Sequence, residues 1–220
     1  MRLSFLLALL FLSLGPGGLM ASPLVVYSFE LDRRTGQEPS EPSRAHITPN
    51  VRGSALRWVL PEGEKAANGF GGKISTAYLN GSGASRQFDP ERYLTFTVEA
   101  EAGHRLNLSS LTLDSGASTT AAYEGEPFAV KVQVSADASR VPFNDALYFL
   151  PDRTTEETVE ISPVPNTDGV FRALEVDLSG AAFQGKEAVT FRVHLYSPTR
   201  SSAFFLRLRE IRVNGTVVKP

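Results

Sequence analysis

Cysteine is missing altogether from the 220 residues. No disulfide can form, and no lipid can be attached through an N-terminal cysteine. Histidine is scarce, with His46, His104 and His194 the three in the chain. No two of them stand at metal-ligand spacing, and without cysteine a zinc site has few donors to build on. There is no G-x-S-x-G turn to present a nucleophilic serine; Gly81-Ser82-Gly83 lies in a turn-like loop. Neither sign of charge dominates. With 22 Lys and Arg against 24 Asp and Glu, the net charge is −2, whereas nucleic-acid binders carry a strong basic excess. Nucleic acid is not an expected partner.

Long apolar runs are also lacking, except for one. Residues 5–14 are almost wholly apolar, Arg2 precedes them, and Gly15-Pro16-Gly17-Gly18 breaks them. Leu19-Met20-Ala21 then offers a small residue for a signal peptidase. Wound as a helix, residues 3–14 would reach about 18 Å, well short of a hydrocarbon core of about 30 Å. The run therefore reads as a cleavable signal peptide over residues 1–21, not as a membrane span. A cut after Ser22 would put Pro23 at the scissile bond, so the expected cut follows Ala21. The expected mature chain, residues 22–220, is secreted or periplasmic with no membrane span. It is long enough for a single domain burying about 70% of its unfolded surface.

What fills that chain is alternation of period two, the mark of strands with one buried face. Leu94, Phe96 and Val98 alternate with Thr95, Thr97 and Glu99. Phe128, Val130, Val132 and Val134 do the same, as do Leu174, Val176 and Leu178, and Val189, Phe191, Val193 and Leu195. Two runs slip phase. Leu106 and Leu108 differ in parity from Leu111 and Leu113, and Leu206 and Leu208 from Ile211 and Val213. A bulge at Ser109-Ser110 and another near Arg209-Glu210 would keep each set inward. Further strands are expected over 24–31, 55–60, 74–79, 148–150 and 159–161. Residues 68–72 and 80–83 read as turns. No stretch is periodic enough for a helix, and no repeat or linker divides the chain. The expected fold is all-β: a two-sheet antiparallel sandwich whose apolar faces meet.

The order of features resembles a group of secreted bacterial jelly-roll β-sandwich proteins of the PEP-CTERM-associated type, found in planctomycetes and verrucomicrobia. The residues that carry the likeness are Val26-Tyr27-Ser28-Phe29, Tyr93-Leu94-Thr95-Phe96-Thr97-Val98, and the run from Gly103 to Leu113. Val132-Gln133-Val134-Ser135, Val189-Thr190-Phe191-Arg192-Val193 and Ile211-Arg212-Val213-Asn214-Gly215 complete it. The resemblance implies a jelly roll built like carbohydrate-binding modules. The absence of cysteine agrees with a bacterial protein, since secreted eukaryotic β domains often use disulfides.

Chemistry is sparse against this background. Glu175 and Asp177 share one strand face about 6.6 Å apart. The E-x-D-x-x-E pattern of one sandwich hydrolase family is broken, however, by Gly180 in its last place. Arg192, His194 and Tyr196 share the polar parity of one strand. They echo a polysaccharide lyase, where Tyr or His acts as base and Arg neutralises a uronate; the ordinary reading is a solvated sheet face. Tyr78, Tyr123 and Tyr148 stand in or near loops and could stack on a sugar ring. Trp58 reads as a core residue. Glu30, Asp32 and Glu210 could meet around a structural calcium if the first and last strands are neighbours; no other cofactor is expected. The expected function is a non-catalytic module binding extracellular polysaccharide, with Tyr123, Tyr148, Arg192, His194 and Tyr196 as ligand-binding candidates. The alternatives are a structural component of the envelope or matrix that contacts a cell-surface protein, and a lyase.

Overall fold

The alternation seen in the sequence becomes two stacked sheets. The computed structural model describes residues 22–64, 68–72, 75–119, 128–137, 157–161, 170–197 and 202–220. Residues 1–21, Tyr123, Tyr148 and the strand expected at 148–150 lie outside these. Regular structure among the described residues consists of twelve strands and three short 3-10 turns. The strands are β1 (Ser22–Tyr27), β2 (Val51–Gly53), β3 (Arg57–Val59), β4 (Asn68–Gly71), β5 (Thr76–Asn80) and β6 (Tyr93–Ala100). They continue as β7 (Arg105–Thr119), β8 (Phe128–Asp137), β9 (Glu157–Ile161), β10 (Val170–Asp177), β11 (Ala188–Tyr196) and β12 (Phe204–Val218).

The first sheet runs β10-β7-β12-β5-β4, with β1 also paired to β12; the second runs β2-β6-β11-β8-β9, with β3 also paired to β6. The pairings are antiparallel. With β2 to β5 set aside, the sheets reduce to β1-β12-β7-β10 and β6-β11-β8-β9. In chain order these are first-eighth-third-sixth and second-seventh-fourth-fifth, the strand order of a jelly roll. The four short strands between β1 and β6 then lengthen one edge of each sheet.

The apolar parities of β1, β5, β7, β10 and β12 in one sheet and of β6 and β11 in the other meet between the sheets. Phe96 of β6 stacks on Phe191 of β11 with ring centres 5.0 Å apart. Tyr27 of β1 meets Phe96 edge-on at 5.0 Å, joining the two layers. Full burial of a large apolar side chain of this kind contributes about 1.5–3 kcal/mol. The Tyr27 hydroxyl donates to the Ser54 carbonyl at 2.7 Å, and burial pushes its pKa well above the ordinary phenol range.

Both expected bulges are present. The β12–β7 register shifts between Leu208 and Ile211, at Arg209-Glu210. It shifts again between Asn214 and Gly215, which face Ser110 and Leu108 and so leave Ser109 as the extra residue. At this second bulge the strands approach closely. A Cβ on Gly215 would sit 2.3 Å from the Asn107 carbonyl oxygen.

Several boundaries differ from expectation. β1 stops at Tyr27 because the chain turns at Phe29, whose φ is 59°. Residues 68–71, expected as a turn, form β4, and the chain reverses after it at Gly71 and Gly72 (φ 83° and 87°). Gly69 pairs with Tyr78, and a Cβ there would lie 2.6 Å from the tyrosine oxygen. Only glycine lets that ring cross the strand. Trp58 is half-buried against the core, its indole N–H 3.4 Å from the Gly69 carbonyl.

Candidate functional site

Arg192, His194 and Tyr196 share one face of β11, as their parity requires, but His194 and Tyr196 are buried there and Arg192 is half-buried. His194 is 2% exposed and Tyr196 5%. The cause is the segment after the Gly81–Gly83 turn, which lies over this end of the sheet. His194 sits 4.9 Å from the Phe88 ring and 5.6 Å from Tyr93. Its Nδ1 lies 3.1 Å from the Asp89 carbonyl and 3.0 Å from that of Arg92. Both neighbours are acceptors, so Nδ1 carries the proton and donates. Arg192 places its guanidinium 4.4 Å from the centre of the Tyr93 ring.

The covering segment is itself pinned by Arg92, whose side chain is 6% exposed. Its guanidinium donates to the Gly83 carbonyl and to the Glu64 carboxylate, and stands 3.6 Å from Asp89. His194 and Tyr196 therefore serve as the seat of a packed loop, and a lyase centre would need them open to substrate.

Of the three acids proposed for calcium, Asp32 and Glu210 have protein partners, and Glu30 is exposed. Asp32 accepts the backbone N–H of Arg34 at 2.9 Å and of Thr35 at 3.4 Å. These bonds hold its carboxyl below the usual aspartate range, the Arg34 bond contributing most. Glu210 pairs with Arg212 at 2.9 Å. No three His, Asp or Glu side chains gather as a metal-holding group among the described residues.

A different face collects aromatic and cationic side chains: the outer side of the first sheet. Pairing aligns one residue from each of five strands: Phe171 with Gly116, Gly116 with Arg207, Arg207 with Tyr78, and Tyr78 with Gly69. The next row sets Phe205 between Ser118 and Asn80. Phe171, Tyr78, Phe205 and Arg207 are half-buried, and Arg209 is exposed. The Arg207 guanidinium lies 5.6 Å from the Tyr78 ring centre and 5.3 Å from that of Phe205, while the two rings meet edge-on at 5.6 Å. Arg207 also donates to the hydroxyls of Ser118 and, at 2.6 Å, Thr76. Arg209 lies 4.8 Å from the Phe171 ring centre and bonds Asp114 at 2.7 Å. Contacts of this kind lock flexible arginines over the rings.

Of these residues only Tyr78 stood among the sequence candidates, and there as a loop residue. Phe171, Phe205, Arg207 and Arg209 were missed. Their signal is present in the chain, since Phe205, Arg207 and Arg209 alternate with buried Leu206 and Leu208. An aromatic on the polar parity of a strand is the feature to notice.

No protein-family model matches the chain, and no curated protein matches it by sequence. Solved structures overlap it in part. A xylanase, Xylanase10C, from Cellvibrio japonicus in complex with xylopentaose aligns at 5% identity and TM-score 0.39, over 74% of this chain and 27% of its own. A cleaved adhesin domain of Lys-gingipain from Porphyromonas gingivalis aligns at 16% identity and TM-score 0.35, over 76% of this chain and 98% of its own. TmCBM27, a carbohydrate-binding module described for mannan recognition, aligns at 12% identity and TM-score 0.34, over 76% and 89%. This chain thus spans about a quarter of the xylanase (27%). Likeness at this level carries no argument about function.

Proposed function

We propose that the chain is an exported, non-catalytic module that binds extracellular polysaccharide on the outer face of its first sheet. The observation that carries this reading is the row Phe171–Gly116–Arg207–Tyr78. Three strand steps separate Phe171 from Tyr78, about 14 Å at the ordinary strand spacing. A single sugar ring does not cover that distance, and a short run of a polymer does. The apolar faces of pyranose rings suit aromatic platforms, while guanidinium groups and hydroxyls suit their equatorial oxygens. Rings held by Arg207 and Arg209 bind with little further loss of rotamer freedom, which is the gain of preorganisation.

Export rests on the leader-like residues 1–21, and the non-catalytic reading on the burial of His194 and Tyr196 beneath the segment that follows Gly83. The test is retention of the full chain in gels cast with soluble polysaccharides, repeated with Tyr78→Ala and Phe171→Ala. Retention that both variants lose supports the proposal; the absence of retention on every polymer tried counts against it.

A further inference from the structure

A cleft lies at the opposite end of β12 from the aromatic rows. It sits at the ends of β1, β7 and β12 and has a volume of about 790 Å³, within the usual range for small-molecule sites. Leu24 and Leu108 give it apolar surface, and Asn50, Asn107, Ser109 and Thr216 give it uncharged hydrogen-bonding groups. Among the described residues that line it, His104 and Lys219 are those whose side chains can carry charge, joined by the Ser22 amino group once the leader is cut, and none bears a carboxylate.

The register brings Ser109 to the edge of the cleft. Ser109 is the extra residue of the β7 bulge, and bulges re-aim a side chain that regular pairing would fix. Its hydroxyl is buried and has no hydrogen-bond partner in the protein, an arrangement that native structures seldom leave without a reason. Asn107 accepts the Gly185 N–H at 2.8 Å through its side-chain oxygen, so its amide is fixed while its two N–H donors remain. Asn50 is held in the left-handed region at φ 65°, its carbonyl accepting the Glu101 N–H at 2.9 Å. The cleft thus combines the fixed Asn107 amide and the Asn50 and Thr216 side chains with apolar surface from Leu24 and Leu108.

We propose that this cleft binds one or two units of a neutral saccharide. The proposal takes its ligand class from the polysaccharide reading above, but occupies a separate place. Along β12, Phe205 and Gly215 are ten residues apart, about 33 Å of strand. The sheet face would hold the middle of a polymer and the cleft a short piece or an end.

The experiment is isothermal titration of the full chain with cellobiose, mannobiose, xylobiose and digalacturonate. Two variants probe the cleft. Asn50→Gly removes the amide and keeps a backbone that tolerates positive φ, and Thr216→Trp fills the rim. The expected result is saturable binding of at least one neutral disaccharide, weakened at least tenfold in both variants. Silence of all three neutral disaccharides, tighter binding of digalacturonate, or unchanged affinity in both variants overturns it. Polymer retention lost in Tyr78→Ala while the disaccharides stay silent removes the cleft alone. Disaccharide binding in the cleft while Tyr78→Ala and Phe171→Ala leave polymer retention intact removes the sheet-face reading alone.

Discussion

Arg207 and Tyr78 stand directly opposite each other on β12 and β5, with the guanidinium 5.6 Å from the ring centre. The pair does two things at once. It ties the β4–β5 hairpin to the long central strand, and it sets an aromatic ring on the outer surface. Arg207→Lys keeps the charge but loses the planar fork that reaches both Ser118 and Thr76. We expect it to cost about 1.5–3 kcal/mol in urea unfolding, the range of one hydrogen bond to a charged group. A loss within error would show that the arginine adds nothing to the sheet.

Gly215→Ala should destabilise the fold by about 1–3 kcal/mol, the usual cost of overpacking. The new Cβ would meet the Asn107 carbonyl at 2.3 Å, and backbone on a paired strand cannot swing aside. The urea midpoint should fall while the slope stays constant, because the surface exposed on unfolding is unchanged. An unchanged midpoint would mean that the second bulge is looser than described.

Arg92→Ala should free the segment that covers His194. It removes bonds to Gly83 and Glu64 from a side chain that is 6% exposed. Glu64 is 46% exposed, so water compensates part of the loss, and the cost is about 1.5–3 kcal/mol. Hydrogen exchange at the amides of residues 85–92 should quicken more than at β6 and β11. Uniform quickening would instead indicate a global loss.

Tyr27 predicts an alkaline signature. Burial raises its pKa above the ordinary phenol value, so the folded state holds the proton more tightly than the unfolded chain. The associated stability is fully present below about pH 10 and is lost as pH rises beyond it. Tyr27→Phe lacks both this dependence and the bond to Ser54. At neutral pH the variant should be about 1 kcal/mol less stable, and the gap should shrink above about pH 10. A gap that stays constant with pH would show that the phenol titrates normally.

The layers were legible because parity in a strand is a strict geometric code. Leu94, Phe96, Val98 and Phe191 announced their inward faces, and the phase slips at Ser109 and Arg209 announced both bulges. Parity says which face a residue takes, not whether another segment covers that face. His194 shows the difference, since its cover comes from Phe88, more than a hundred residues earlier. Gly69 shows another limit. Its sequence reads as a turn, and its role as a seat for the Tyr78 ring exists only once β4 and β5 are paired. The aromatic rows were hidden for a similar reason. Phe171, Tyr78 and Phe205 come from three strands far apart in the chain, and only the register brings them together.

The most direct test of the account is affinity electrophoresis of the full chain against a panel of neutral and acidic polysaccharides, with Tyr78→Ala and Phe171→Ala alongside. The account predicts retardation by at least one polymer, weakened at least tenfold in both variants, with Phe171→Ala retaining the parent's melting temperature. Free migration on every polymer, or retardation that neither substitution alters, would contradict it.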